Sequence, residues 1–431
     1  MTVNIFHYHL NPGGVTRIIE SQIRALKRLD NPPEIRLFCG GCENKDQFRE
    51  LGVYPVVFEP LNYIFPPAGK KSELYNLFKE IKDFITSHTE QDDIFHTHNL
   101  NLGKNPVFTA VISSLIKSGY KVVNHAHDFA EDREWNMDFL KEVIRDGMGL
   151  DLKETMYPDE RNYLFATLND FDLNRLDGFG VSEERRFILP NPVIFDNKEP
   201  MPEKKESREE IIKTLSLDPS KIIVTYPVRV IERKNIGEFL LLAVLFSERA
   251  SWMVTLPPQN PLEIKKYDRW LEFVDDENIE VYFEVGKKLD FMHVLRGSDF
   301  CISTSYREGF GMVYLEPWLM GTPVTGRDIP YLTSDFRREG LIFDNLYTEI
   351  SVPGSGEDFS DLPADEQKEV IRKARNSGDF REKIREINPA LEGLLKDVPE
   401  KVINENIDII RKKYSLEKYG ERLIGIYKAF S

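Results

Sequence analysis

Short, wholly apolar runs alternate along the chain with longer stretches in which apolar residues recur every three or four positions. This pattern predicts strands near 3–9, 34–39, 53–58, 93–98, 121–125, 163–167 and 186–189. Between them it predicts helices near 14–29, 72–87, 106–117, 135–145 and 170–176. Strands without polar alternation are buried on both faces. Interleaved with amphipathic helices, they describe a parallel, doubly wound α/β sheet.

The periodicity lapses at 196–210, which is rich in Pro, Lys and Glu and reads as an interdomain linker. It then resumes, with strands expected at 221–229, 252–256, 279–283 and 299–304 and a helix at 289–297. Residues 328–401 are charged and read as an irregular surface excursion with short helices. The chain closes on an amphipathic helix at 413–429 carrying Leu416, Tyr419, Leu423, Ile424 and Tyr427. A length of 431 residues exceeds one ordinary core. Two domains are therefore expected, 1–195 together with the helix at 413–431, and 211–412.

Composition narrows the function classes. With 41% hydrophobic and 30% charged residues the chain is that of a soluble globular protein. No run approaches the ~20 apolar residues that span a bilayer. The first residues enter a strand without a basic leader, so cytoplasmic residence is expected. A net charge of −15 argues against a nucleic-acid partner and gives no strong membrane signal. Cys39 and Cys42 form a CxxC without the second ligand pair that zinc needs, so a plain loop is expected.

Chemistry gathers where strands end. After the strand at 299–304 come Glu308 and then Gly309, Phe310 and Gly311, where the backbone can take positive φ and lie against a ligand. A helix is expected to open there with the N–H groups of Met312 and Val313 as a seat for a diphosphate. Glu316 would stand one turn inside it. Carboxylates beside a phosphate seat point to sugar hydroxyls. Arg229 and Lys234 flank another strand-to-helix turn, and two cations aimed at a leaving phosphate lower its barrier.

In the first half, Gly13 and Gly14 enter a helix directly after the first strand. Six of the eight histidines form three His-x-His pairs, 7/9, 96/98 and 125/127. A period of two puts each pair on one strand face, where a metal clamp is one reading. Hydroxyl binding is the other. His9, Asn11, Asn99, Lys104, Asp128 and Arg133 lie in polar loops and are assigned to an acceptor.

The order glutamate, seven residues, glutamate, wrapped around GFG and followed by GTPV, resembles the donor site of retaining nucleotide-sugar glycosyltransferases. The resemblance is to the large fourth sequence family of the GT-B architecture, two Rossmann-like domains facing a cleft. The GGV of Gly13–Val15, the NHAHD of Asn124–Asp128 and the Arg229/Lys234 pair add to it. It implies that Glu308 and His127 hold the donor sugar, Glu316 the ribose, and Arg229 and Lys234 the diphosphate. Val285 would lie where the base docks, and Gly13 and Gly14 would face the donor across the cleft. It implies no tightly bound cofactor and no metal, and makes hydroxyl binding the preferred role of the histidines. The expected function is retaining transfer of a hexose from a UDP- or GDP-linked sugar to a soluble polar acceptor, such as a sugar, sugar phosphate or hydroxy acid. A non-hydrolysing nucleotide-sugar epimerase and a non-catalytic sugar-binding protein are the alternatives. The paired cations and the EGFG turn point away from the epimerase.

Overall fold

Seven strands make the first sheet: β1 (Thr2–His7), β2 (Glu34–Cys39), β3 (Pro55–Val57), β4 (Ile94–His98), β5 (Lys121–Ala126), β6 (Tyr163–Thr167) and β7 (Arg186–Ile188). They lie in the order β3-β2-β1-β4-β5-β6-β7, and every pairing is parallel. The computed structural model describes residues 1–67, 69–194 and 201–430. It separates into two units, Met1–Ile194 with Tyr414–Ser431, and Phe195–Lys413.

The faces of the first sheet follow from the period of two. Phe6, Phe95 and Val122 point to one side, against Ile81, Ile85, Val111 and Leu115 of helices Lys71–His88 and Pro106–Lys117. Val3, Ile5, Ile94 and Val123 point to the other, against α1 (Gly14–Lys27) and the C-terminal helix Leu416–Lys428. Ser415 caps that last helix, accepting the Lys418 N–H at 3.2 Å. Gly420 meets α1, where a Cβ would stand 3.1 Å from the Ala25 carbonyl oxygen.

On this second face the strands change character toward their carboxyl ends. Val3 and Ile5 are followed by His7, Ile94 by His96 and His98, and Val123 by His125 and His127. His98 pairs with His125 across the ladder. All five rings are buried. Burial pulls His7 and His96 down to about 3, and carries His98, His125 and His127 well below the ordinary imidazole value, with neighbouring histidines adding to it.

The second unit has six parallel strands: β8 (Ile222–Arg229), β9 (Ala250–Leu256), β10 (Val281–Tyr282), β11 (Phe300–Ser303), β12 (Val324–Arg327) and β13 (Leu346–Tyr347). Their order is β10-β9-β8-β11-β12-β13. In both sheets the first strand is internal and the winding reverses beside it, between β1 and β4 and between β8 and β11. Ligands of open α/β sheets collect outside the carboxyl strand ends at such points.

Two expectations need correction here. Part of the stretch read as linker is helical, because Lys204–Leu215 starts inside it and buries Ser207 and Ile211. Residues 196–200 of that stretch lie outside the described residues. The stretch 328–401 is also not an irregular excursion. It supplies β13 and the helices Pro330–Arg338, Ala364–Asn376 and Gly378–Ile387. Val370, Ile371, Ala374 and Ile384 are core residues of the second unit. Their apolar stripe is narrow and set among charges, so composition hid it. Among the described residues no helix is long and apolar enough to cross a membrane.

Beneath β12 and β13 lies a buried ion network. Arg327 donates to Glu238 at 2.8 Å and to both oxygens of Asp358 at 2.8 Å, and the Tyr347 hydroxyl donates to Glu238 at 2.7 Å. Removing one partner of a buried pair strands the other charge. Arg327→Met is expected to destabilise the second unit by about 3–5 kcal/mol, read as an earlier denaturant transition; an unchanged midpoint would refute this role.

The histidine rows make a prediction of the same sign as a carboxylate with a depressed pKa, and opposite to a histidine that gains an acidic partner. Unfolded, each imidazole takes up a proton near pH 6.5, whereas the folded rings stay neutral far below it. The unfolded state then binds more protons, so stability falls as pH drops through 6.5 and keeps falling toward about 3. Each ring contributes about 1.4 kcal/mol per pH unit across that window. Hydrogen exchange, corrected for intrinsic rates, is expected to speed up in β1, β4 and β5 between pH 7.5 and 5.5, more than in β8, β11 and β12. Equal acceleration in both sheets would count against it.

Candidate active site

Glu308 is the centre of the second unit's strand-end chemistry. It follows β11, and its buried carboxylate receives Arg233 Nη1 on one oxygen and Lys234 Nζ on the other. The Tyr331 hydroxyl clamps its backbone, accepting the Glu308 N–H at 3.0 Å and donating to its carbonyl at 2.8 Å. The loop carrying the cations is pinned as well. Tyr226 and Thr304 hydroxyls donate to the Lys234 carbonyl at 2.9 and 3.0 Å, and Asn235 turns with φ 49°. Burial pushes the Glu308 carboxyl up. The Lys234 and Arg233 cations outweigh it and hold the group below the usual carboxylate range.

The cation pair on this carboxylate is Arg233 with Lys234, whereas the sequence reading paired Lys234 with Arg229. Arg229 is the exposed last residue of β8, beside Leu256. Neighbours in a helix point apart, so adjacent cations did not suggest a shared partner. A single 3₁₀ turn, Glu232–Lys234, brings both to the two oxygens of one carboxylate.

Past Glu308, Phe310 is buried edge-on against Phe336, with centroids 5.6 Å apart. Gly311 has φ 77°, and a Cβ there would lie 2.4 Å from Leu332 Cδ2, so glycine is required. The continuous helix expected next is instead a 3₁₀ turn, Met312–Tyr314, followed by the single turn Glu316–Leu319. Pro317 has no N–H to bond the carbonyl of Val313, and the helix breaks there. Glu316 therefore begins the second turn and does not sit inside a first one. Val313 is buried and Met312 half-buried. Val285 is buried in a 3₁₀ turn after β10 and faces the core, so only its backbone is available to a ligand.

In the first unit, Gly13 and Gly14 are exposed at the start of α1. Gly13 is extended, at φ −178°, and a Cβ on Gly14 would meet nothing within 4 Å. These glycines leave open space at the helix end without meeting a backbone requirement.

The loops after β1, β4 and β5 build a cationic, aromatic patch. The His9 ring stands edge-on to Tyr63 at 4.8 Å, and its Nδ1 accepts the Asn11 N–H at 3.3 Å. Lys104 Nζ lies 3.7 Å from the centroid of half-exposed Trp135 and 5.6 Å from that of Tyr63. Arg133 pairs with Asp128 at 3.2 Å. Burial and the nearby Arg133 charge pull Lys104 down to about 8. Tyr63 and Trp135 escaped the sequence reading; an aromatic directly after the charged run at 131–134 was the available signal.

Asn99 is not turned toward an acceptor. It is buried at φ 60°, and its Oδ1 accepts the N–H groups of His127 and Asp128 at 2.7 and 3.1 Å, which shapes the loop that carries them. The histidines also divide. His96, His98 and His125 are too deeply buried to meet a substrate hydroxyl, and His127 retains 8% exposure.

Ligand atoms of His96, His98 and His125 lie within 4.8 Å of one another. Zinc–nitrogen bonds of about 2.0–2.1 Å give tetrahedral edges of about 3.3 Å, so the trio is more open than a formed site. Both nitrogens of His98 are engaged elsewhere, at 2.9 Å each, and the group does not fit a metal as it stands. The CxxC thiols are free, and burial pushes Cys39 up to about 12, leaving it an unreactive thiol.

No family model matches the chain. The mannosylglucosyl-3-phosphoglycerate synthase of Petrotoga mobilis is 32% identical over 327 residues, covering 72% of this chain and 62% of that protein. The chain thus spans less than two thirds of that relative's length. The structure of Anabaena HepE in complex with UDP-glucose superposes over the whole of both chains with a TM-score of 0.62 at 12% identity. Sucrose-phosphate synthase from Thermosynechococcus elongatus gives 0.59 at 14% identity, over 100% of this chain and 98% of that one. In sequence the chain is similar to this synthase, and it shares the GT-B fold of these solved structures.

Proposed function

We propose that the protein transfers a hexose from a UDP- or GDP-linked sugar to a small polar acceptor carrying negative charge, with retention at the anomeric carbon. The observation that carries this reading is the double clasp of Glu308 by Arg233 and Lys234 at the head of the EGFG turn. A donor's diphosphate competes for those two cations. As they turn to it, the carboxylate oxygens become acceptors for sugar hydroxyls, so the ion pairs pass to the diphosphate and hydrogen bonds hold the carboxylate in their place. Arg229 adds a third cation at the end of β8. The bond between the anomeric carbon and the phosphate oxygen breaks, and the acceptor oxygen bonds on the same face. The acceptor's proton passes to the departing phosphate, whose growing charge the cations stabilise.

The acceptor side is read from Lys104 and Arg133, two cations beside Tyr63 and Trp135, with Asp128 paired to Arg133. Such a patch suits a phosphate or carboxylate joined to a sugar. The name of the Petrotoga relative contains a phosphoglycerate, which agrees with that class. His127 is assigned to the donor sugar. The protein requires no tightly bound cofactor in this reading, and metal is not part of it.

Transfer of radiolabelled hexose from UDP- and GDP-sugars to phosphorylated and unphosphorylated acceptors tests the assignment. Lys234→Ala is expected to lower kcat by about 10²–10³, and a wild-type rate in that variant would end the charge-neutralising role. Lys104→Met is expected to raise KM for a phosphorylated acceptor by about tenfold or more, as for loss of a charge-assisted contact, with donor KM unchanged. Equal effects on charged and neutral acceptors would contradict the patch assignment.

A further inference from the structure

A chain of hydrogen bonds runs from the C-terminal helix to His127 through the histidine rows. Gln22, on α1, donates from Nε2 to the Tyr427 hydroxyl at 3.0 Å, and Tyr427 lies 2.9 Å from His96 Nδ1. The Gln22 Oε1 stands 2.9 Å from His98 Nε2, and His98 Nδ1 stands 2.9 Å from His127 Nε2. Every member of this chain is buried.

The donors and acceptors follow in order. An amide oxygen only accepts, so the hydrogen between Gln22 and His98 belongs to His98 Nε2. A neutral imidazole carries one N–H, so His98 Nδ1 is an acceptor. The hydrogen it receives belongs to His127 Nε2, and His127 Nδ1 is left as a bare lone pair. Burial keeps these rings neutral, so the one-hydrogen rule holds at physiological pH. Turning the Gln22 amide over would reverse every bond and make His127 Nδ1 a donor. Tyr427 ties that choice to His96: in the present orientation its hydroxyl accepts from Gln22 and donates to His96 Nδ1, and in the other it would donate to Gln22 and accept from His96.

We propose that Gln22, hydrogen-bonded to Tyr427, acts through His98 as a positioning residue that fixes the tautomer of His127 and presents its Nδ1 as an acceptor for a substrate hydroxyl. The proposal rests on the reading above, in which His127 meets the sugar. It makes the C-terminal helix a determinant of the site's hydrogen-bond polarity as well as a piece of the core.

Nitrogen-15 NMR of histidine-labelled full-length protein reads the tautomer without substrate. The wild type is expected to show His127 protonated at Nε2 and bare at Nδ1. Tyr427→Phe, which removes one oxygen, and Gln22→Met are each expected to give mixed or reversed tautomers while near-ultraviolet circular dichroism stays native. A wild-type His127 protonated at Nδ1, or an unmoved tautomer in a folded Tyr427→Phe protein, overturns the proposal. In the transfer assay Tyr427→Phe is expected to lower kcat roughly tenfold, the loss of about one hydrogen bond, with acceptor KM unchanged. A tautomer shift without any change in kcat would overturn the link to substrate. The expected tautomers in a wild-type protein that transfers no sugar would instead refute the proposed function.

Discussion

The second unit depends on one buried carboxylate held by two cations. A glutamate that closes a strand end with little exposed surface would by itself cost several kcal/mol to ionise. Arg233 and Lys234 offset that by approaching its two oxygens separately. Their own positions come from the Glu232–Lys234 turn, which Tyr226 and Thr304 hold by its carbonyls. Tyr331 fixes the Glu308 backbone from the other side. The strand end, the turn and helix Pro330–Arg338 are thus tied through this charge cluster, and a ligand that takes over either cation acts on all three.

The first unit places polar groups at its strand ends by a different route. Its inner rows go from Val and Ile to His without charge, because burial keeps the imidazoles neutral. A neutral ring in the core needs partners of the correct donor or acceptor sense, and α1 and the C-terminal helix supply them through Gln22 and Tyr427. Not every atom is served. Among the described residues, His96 Nε2 and both His125 nitrogens find no well-formed hydrogen bond, although the Leu189 backbone lies close to His125. This incomplete satisfaction makes the rows costly to bury and sensitive to acid.

Much of this was legible in the sequence where a residue type had a local reason. The alternation of apolar runs with 3.6-period stretches located β1 to β11 and most of the helices between them, since each strand carries its own burial signal. Glu308, Lys234 and the GFG turn stood out because glycine and charge at a strand end are locally improbable. Residues whose meaning lies in a distant partner were not legible. Arg233 looked like a solvated neighbour of Lys234, Asn99 like a loop contact, and Gln22 like any polar residue of an amphipathic helix. Gln22 and Tyr427 are 405 positions apart, and no local pattern joins them. The core packing of the short helices between 328 and 401 was missed for a third reason, because a narrow stripe such as Val370, Ile371 and Ala374 is outvoted by the charges around it.

The two strategies suit different chemical tasks. A departing diphosphate changes by a full unit of charge, and fixed cations answer that through long-range electrostatics even when distances shift by a few tenths of an ångström. A hydroxyl's orientation is decided by the sense of one hydrogen bond. A neutral ring with a defined tautomer sets that sense without adding charge near the reacting centre. The energy scales differ accordingly, about 3–5 kcal/mol for stranding a buried charge against about 1–3 kcal/mol for an unmatched neutral donor or acceptor. A neutral relay is therefore cheap enough to be reset by one amide turning over. The cation clasp changes only when another anion takes its place.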